Sequence, residues 1–165
     1  MDIVPNYEVE MTRGVIKRWR YGSVVWTSDL TACSVIMVIS RDKVAMVHAT
    51  PEQMEERIDQ RLANFGVRLT NQQLGGNQAV GVALLDSELG RAYGTRSPGW
   101  VQAFFDEQVG QSNTMRYVSN DRDNSWYTVE LDRRQQDWPP ILRILRGFGN
   151  AGTNTAQVVW QGNAF

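Results

Sequence analysis

The chain has 165 residues, 17 basic against 18 acidic, a net charge of -1 and a hydrophobic fraction of 42%. That length suits one domain covering 1–165, long enough to bury a core without staples. No sustained basic stretch is present, so nothing electrostatic favours nucleic acid. A single Cys excludes an intrachain disulfide and any multi-cysteine zinc site. Met1 to Arg13 has no apolar core of signal-peptide type, and no run approaches the length of a membrane span.

In chain order, residues 14–20 and 22–27 read as short strands broken near Tyr21-Gly22. Ser34 to Ile39 is a continuous apolar run rich in β-branched residues, and Val44 to Val47 is a second. Ser40, Arg41, Asp42 and Lys43 between them are turn chemistry, so the pair reads as a hairpin. Strands apolar on both faces belong inside a sheet covered on both sides. Thr50-Pro51-Glu52-Gln53 forms a capping box with Pro at the first helical position. Met54, Ile58 and Leu62 continue it as a helical stripe that Gly66 ends. Thr70 to Gln78 is a polar loop, and Ala79 to Leu85 an apolar strand. Ser97-Pro98 opens a second helix carrying Trp100, Phe104 and Phe105, closed by Gly110. Met115 to Val118 and Trp126 to Leu131 alternate as strands around a turn at 120–124. Asp137 to Leu145, behind Pro139-Pro140, reads as a short helix, and Gln157 to Trp160 as a last strand. The sum is an α+β domain: a mixed or antiparallel sheet or β-sandwich with two or three flanking helices.

The lone thiol and the lone imidazole, Cys33 and His48, lie at opposite ends of the hairpin. With a two-residue turn at Arg41-Asp42, Ser40 faces Lys43 and Val35 faces His48. Cys33 then shares a face with His48, one diagonal step away. A four-residue turn sets the two directly opposite, and an odd turn sends them to opposite faces. A cysteine with an ordinary pKa of about 8.5 is mostly thiol at neutral pH, and a nearby imidazole can take its proton. The thiolate attacks a carboxamide or ester carbon, the imidazole protonates the departing group, and water resolves the acyl-enzyme. The Cys33 N–H is a candidate oxyanion donor, and a third group must hold the imidazole tautomer. The plainer alternative is a buried, unreactive Cys33 at a strand edge and a structural His48.

Leu30-Thr31-Ala32-Cys33 resembles the Leu-Ser-Gly-Cys signature of the cytotoxic necrotizing factor deamidases and of Burkholderia lethal factor. The chemoreceptor glutamine deamidases carry a related Gly-Ser-Cys. Thr31 keeps the hydroxyl of the Ser, whereas Ala32 replaces Gly. In the lethal factor and the chemoreceptor enzyme a Thr ahead of the nucleophile supports the His, and Thr27 stands at the matching position. The resemblance covers about residues 22–52. It implies a protein-glutamine deamidase with Cys33 as nucleophile, His48 as general acid–base and Thr27 as supporting group. It implies no cofactor, a target protein presenting an exposed Gln, and a sandwich or mixed sheet with outer helices. It also implies a toxin or effector, made in the producer's cytoplasm and delivered to a host cytosol by a route needing no cleavable signal. A housekeeping deamidase of chemoreceptor type, transglutamination, proteolysis, and a non-catalytic protein-binding module are the alternatives.

Other residues have weaker readings. Asp29 is a second candidate to orient His48, or a turn former. Trp26, Trp100, Trp126, Trp138 and Trp160 read as a binding groove or, more plainly, as core and half-buried surface. Thr70 to Gln78 is a recognition loop or a connection. Arg133-Arg134 and Arg143-Arg146 read as solvated faces. No phosphate loop, dinucleotide fingerprint or metal-ligand cluster is present in the sequence.

Overall fold

β-branched and apolar residues dominate the segments that pair, and they pair into two sheets. The computed structural model describes residues 5–30, 33–50, 64, 78–85, 113–119, 126–147 and 157–165, with 78–85 and 113–119 described by backbone alone. The strands are β1 Asn6–Glu8, β2 Gly14–Arg18, β3 Val24–Leu30, β4 Ser34–Ile39, β5 Lys43–Ala49, β6 Gln78–Leu85, β7 Asn113–Ser119, β8 Tyr127–Asp132, β9 Ile141–Arg146 and β10 Gln157–Asn163. One sheet runs β1-β3-β8-β9-β10 and the other β2-β5-β4-β6-β7. β1 with β3 and β6 with β7 are parallel pairs, and the remaining ladders are antiparallel.

Alternation along the strands builds the core between the sheets. Val35, Met37 and Ile39 of β4 and Val44 and Met46 of β5 join Val25 of β3, Val129 and Leu131 of β8 and Leu142 and Ile144 of β9 in one buried cluster. The other face of the hairpin is buried as well: Ile36, Val38, Ala45 and Val47 are all at most 3% exposed. Two-sided burial is what continuous apolar strands require.

The α+β class is corrected. The elements of the described residues are ten strands, and of the expected helical stretch after Thr50-Pro51 only Asn64 is described, as helical. The rest of that stretch and the helix expected after Ser97-Pro98 fall outside the described residues. The one expected over 137–145 is overturned, because Ile141–Arg146 is a strand hydrogen-bonded on both sides, to β8 and β10. Its Leu142 and Ile144 face the core while Arg143 points away, a period of two, and pairing overrides any helical tendency. Likewise β7 and β8 do not pair around 120–124; they belong to different sheets. No helix among the described residues is long and apolar enough to cross a membrane.

The expected solvated arginines are corrected in part, since Arg134 and Arg146 are exposed as expected. Arg133 and Arg143 are buried. Arg143 and Arg134 bind the carboxylates of Glu130 and Asp132 on the outer face of β8. Burial pushes the Asp132 carboxyl up, but hydrogen bonds from the Arg134 side chain and backbone and from Arg143 outweigh it and leave the pKa below its ordinary value.

The hairpin turn is anchored from outside. Ser40 N donates to Lys43 O at 2.9 Å, which closes a two-residue turn at Arg41-Asp42. Trp19 Nε1 donates to Ser40 O at 2.8 Å, and Trp19 N to Asp42 O at 3.1 Å. Arg133 Nη1 donates to Arg41 O at 2.6 Å, its guanidinium lying over the Trp19 ring. These bonds lock the register at the turn end, and the register sets which residues meet at the far end.

Candidate active site

The hairpin ladder sets Val35 opposite His48 and Ser34 opposite Ala49, the register of the two-residue turn. His48 follows Val44 and Met46 at steps of two, so its ring faces the space between the sheets. Cys33, one residue before β4, belongs to the same buried cluster as Val35, Met37 and Ile39. Thiol and imidazole therefore share the inner face. If Cys33 continues the strand, it stands diagonally from His48 at about 7–8 Å between Cα atoms.

Thr27 reaches His48 from the opposite sheet. Its Oγ1 lies 2.8 Å from His48 Nδ1 and donates to Val9 O at 2.7 Å. Thr27 pairs with Val129 and Leu30 with Tyr127, three steps on β3 against two on β8. That bulge carries Asp29 at φ 64°, and it returns Leu30 to the inner face shared by Thr27. Without it, Thr27 and Leu30 would point to opposite sides of the sheet.

The site is dry. Thr27 and His48 are fully buried, and Cys33 is 5% exposed. Burial lowers the His48 pKa from 6.5 to about 4, so the ring is neutral at physiological pH. His48 Nε2 is buried and has no hydrogen-bond partner among the described residues, Cys33 included. The two side chains thus share a face without a sulfur–nitrogen hydrogen bond in this state. Oγ of Ser34, the residue after Cys33, is a second buried polar atom without a partner among the described residues.

Asp29 takes no part on the ring, since Nδ1 is held by Thr27 and Nε2 is unbonded. Thr31, Ala32, Trp100 and most of Thr70 to Gln78 lie outside the described residues. Trp26 donates to Asn6 Oδ1, Trp126 is exposed, and Trp138 and Trp160 pack against the core. Sequence reasoning missed Val9, Thr12 and Arg13. Their contribution is by backbone atoms, which leave no residue-type signal. Among the described residues no group of His, Cys, Asp and Glu is placed to hold a metal ion.

No family model matches the chain, and no curated protein matches it. Among solved structures it is similar to the crystal structure of the C-terminal domain of CNFy from Yersinia pseudotuberculosis. The identity is 12% and the TM-score 0.46, over 96% of this chain and 63% of that one. The chain therefore spans less than two thirds of that neighbour's length.

Proposed function

We propose that the chain is a cysteine-dependent protein-glutamine deamidase of toxin or effector type. One observation carries this reading. An imidazole is held through Nδ1 by a threonine from the opposing sheet, with its Nε2 unoccupied, on the face that also bears the chain's single thiol. The Leu30 to Cys33 signature directs the chemistry toward a carboxamide. His48 is neutral before substrate binds, so it acts as a general base rather than as half of a preformed ion pair. Nε2 takes the thiol proton as Sγ attacks the Gln side-chain carbon. The imidazolium then protonates the departing nitrogen, and ammonia leaves. Water, deprotonated by the same ring, cleaves the thioester to a Glu side chain and restores the thiol.

The test uses the wild type, Cys33→Ser and His48→Ala, each incubated with host-cell lysate. Peptide mass spectrometry then scores Gln-to-Glu conversion, and ammonia is assayed in parallel. Conversion by the wild type alone, without peptide cleavage or amine incorporation, is expected. Conversions equal in all three samples, with a thiol inert to alkylation until the chain is denatured, would establish the non-catalytic binding module instead.

A further inference from the structure

We infer that the main-chain carbonyl of Val9 sets the tautomer of His48 through the Thr27 hydroxyl, making the segment from Val9 to Arg13 a positioning element of this site. The inference deepens the proposed thiol chemistry and rests on it only for its catalytic consequence. A threonine hydroxyl has one hydrogen and two lone pairs. Here the hydrogen is committed, because Oγ1 donates to Val9 O at 2.7 Å. The 2.8 Å contact with His48 Nδ1 must then run the other way, from ring N–H to hydroxyl oxygen. A neutral imidazole carries one N–H, so Nε2 keeps a bare lone pair. Nε2 is also the ring atom without a partner among the described residues. That lone pair is what a base for the Cys33 thiol must offer. Were the hydroxyl to donate to Nδ1 instead, the proton would sit on Nε2, and the ring could not accept another there while neutral.

The same segment grips both partners. Val9 N donates to Trp26 O at 2.8 Å, which fixes the carbonyl beside β3. Thr12 N donates to His48 O at 3.1 Å, and His48 N donates to Arg13 O at 3.0 Å. Between these anchors the chain crosses from the sheet of β1 to the sheet of β2. Thr12 adopts φ 63° in that crossing, a left-handed conformation that β-branched residues avoid. Strain of this kind persists where surrounding bonds over-determine it.

The experiment is ring-nitrogen NMR of His48 in the full chain, labelled with 15N histidine, at neutral pH. His48 is the chain's single histidine, so its signals need no assignment. Wild type should show the Nδ1–H tautomer. Replacing the Val9–Glu10 amide by an ester weakens the Val9 carbonyl as an acceptor and leaves every side chain of the site in place. It should move the tautomer ratio about fivefold toward Nε2–H, the worth of one ordinary hydrogen bond. Thr27→Ser should keep the wild-type pattern. Thr27→Val should lose it, and serves as the perturbation if the ester chain does not fold. An Nε2–H ring in the wild type would overturn the inference. So would a folded ester chain, or failing that a folded Thr27→Val chain, with an unchanged ratio. An Nδ1–H ring in a protein that deamidates nothing would leave the inference standing and remove the proposed function. Deamidation by a protein with an Nε2–H ring would do the reverse.

Discussion

Burial of a neutral histidine commits the protein to a particular pH dependence of stability. The folded His48 titrates at about 4 and the unfolded one at 6.5. Above the unfolded value the ring is neutral in both states, and the contribution is complete. As pH falls below it, the unfolded chain binds a proton that the folded chain refuses, and stability drops. The limiting slope is about 1.4 kcal/mol per pH unit, and the loss ends once the folded ring also titrates. The whole loss is about 3 kcal/mol, of which about 2 kcal/mol has occurred by roughly pH 5. The assay is urea unfolding, followed by tryptophan fluorescence, from about pH 7.5 down to about pH 5, in wild type and His48→Gln. The variant starts from a different stability, but it lacks the titrating ring, so the difference between the two curves isolates His48 from the carboxylates. Wild-type stability should fall relative to the variant as pH falls. A flat difference would refute the buried neutral ring. A difference of opposite sign, with wild type gaining on acidification, would mean that folding raises the His48 pKa instead of lowering it.

Two further outcomes follow from the packing. Met37 faces Met46 across the hairpin, and both are fully buried in the core. Met37→Ala should therefore cost about 2–5 kcal/mol in urea unfolding without altering the His48 tautomer. Arg143→Met leaves Glu130 and Asp132 buried with one guanidinium in place of two, and should cost about 3–5 kcal/mol. Arg134, whose side chain is 40% exposed, should cost clearly less when replaced by Met in the same assay, because water reaches it already.

The hairpin was legible because everything that specifies it is local. Two continuous apolar runs and the Ser40 to Lys43 turn chemistry determine pairing and register, and register alone decides that Cys33 and His48 share a face. Thr27 was reachable by resemblance but not by pattern, because it meets His48 from the other sheet, and strand spacing carries no information across a sandwich. Val9 was invisible for a stricter reason, since a main-chain carbonyl is the same for every residue type. The failure over 137–145 has another origin. Ile141, Leu142, Ile144 and Leu145 fit a helical stripe as well as an alternating strand, and ladders on both sides settled the matter. Arg143 should have argued against the helix face only if its carboxylate partners, 11 and 13 residues away in sequence, had been known.

Burial also bears on which substrate the proposed chemistry would accept. Cys33 precedes β4 and His48 is the penultimate residue of β5, so both lie at the hairpin end remote from the turn. The turn end is tied down by Trp19 and Arg133. In the proposed chemistry, a substrate side chain that does not displace the core would approach from the end remote from the turn, and it would have to be slender enough to pass between two sheets. A glutamine amide meets that demand, being unbranched and uncharged. Its product does not, because a carboxylate loses its hydration in a site whose own imidazole is held neutral by the same desolvation. The burial that weakens His48 as a base therefore favours entry of Gln over retention of Glu. In the proposed chemistry this would speed release of the Glu product and limit product inhibition, leaving the equilibrium of the hydrolysis unchanged.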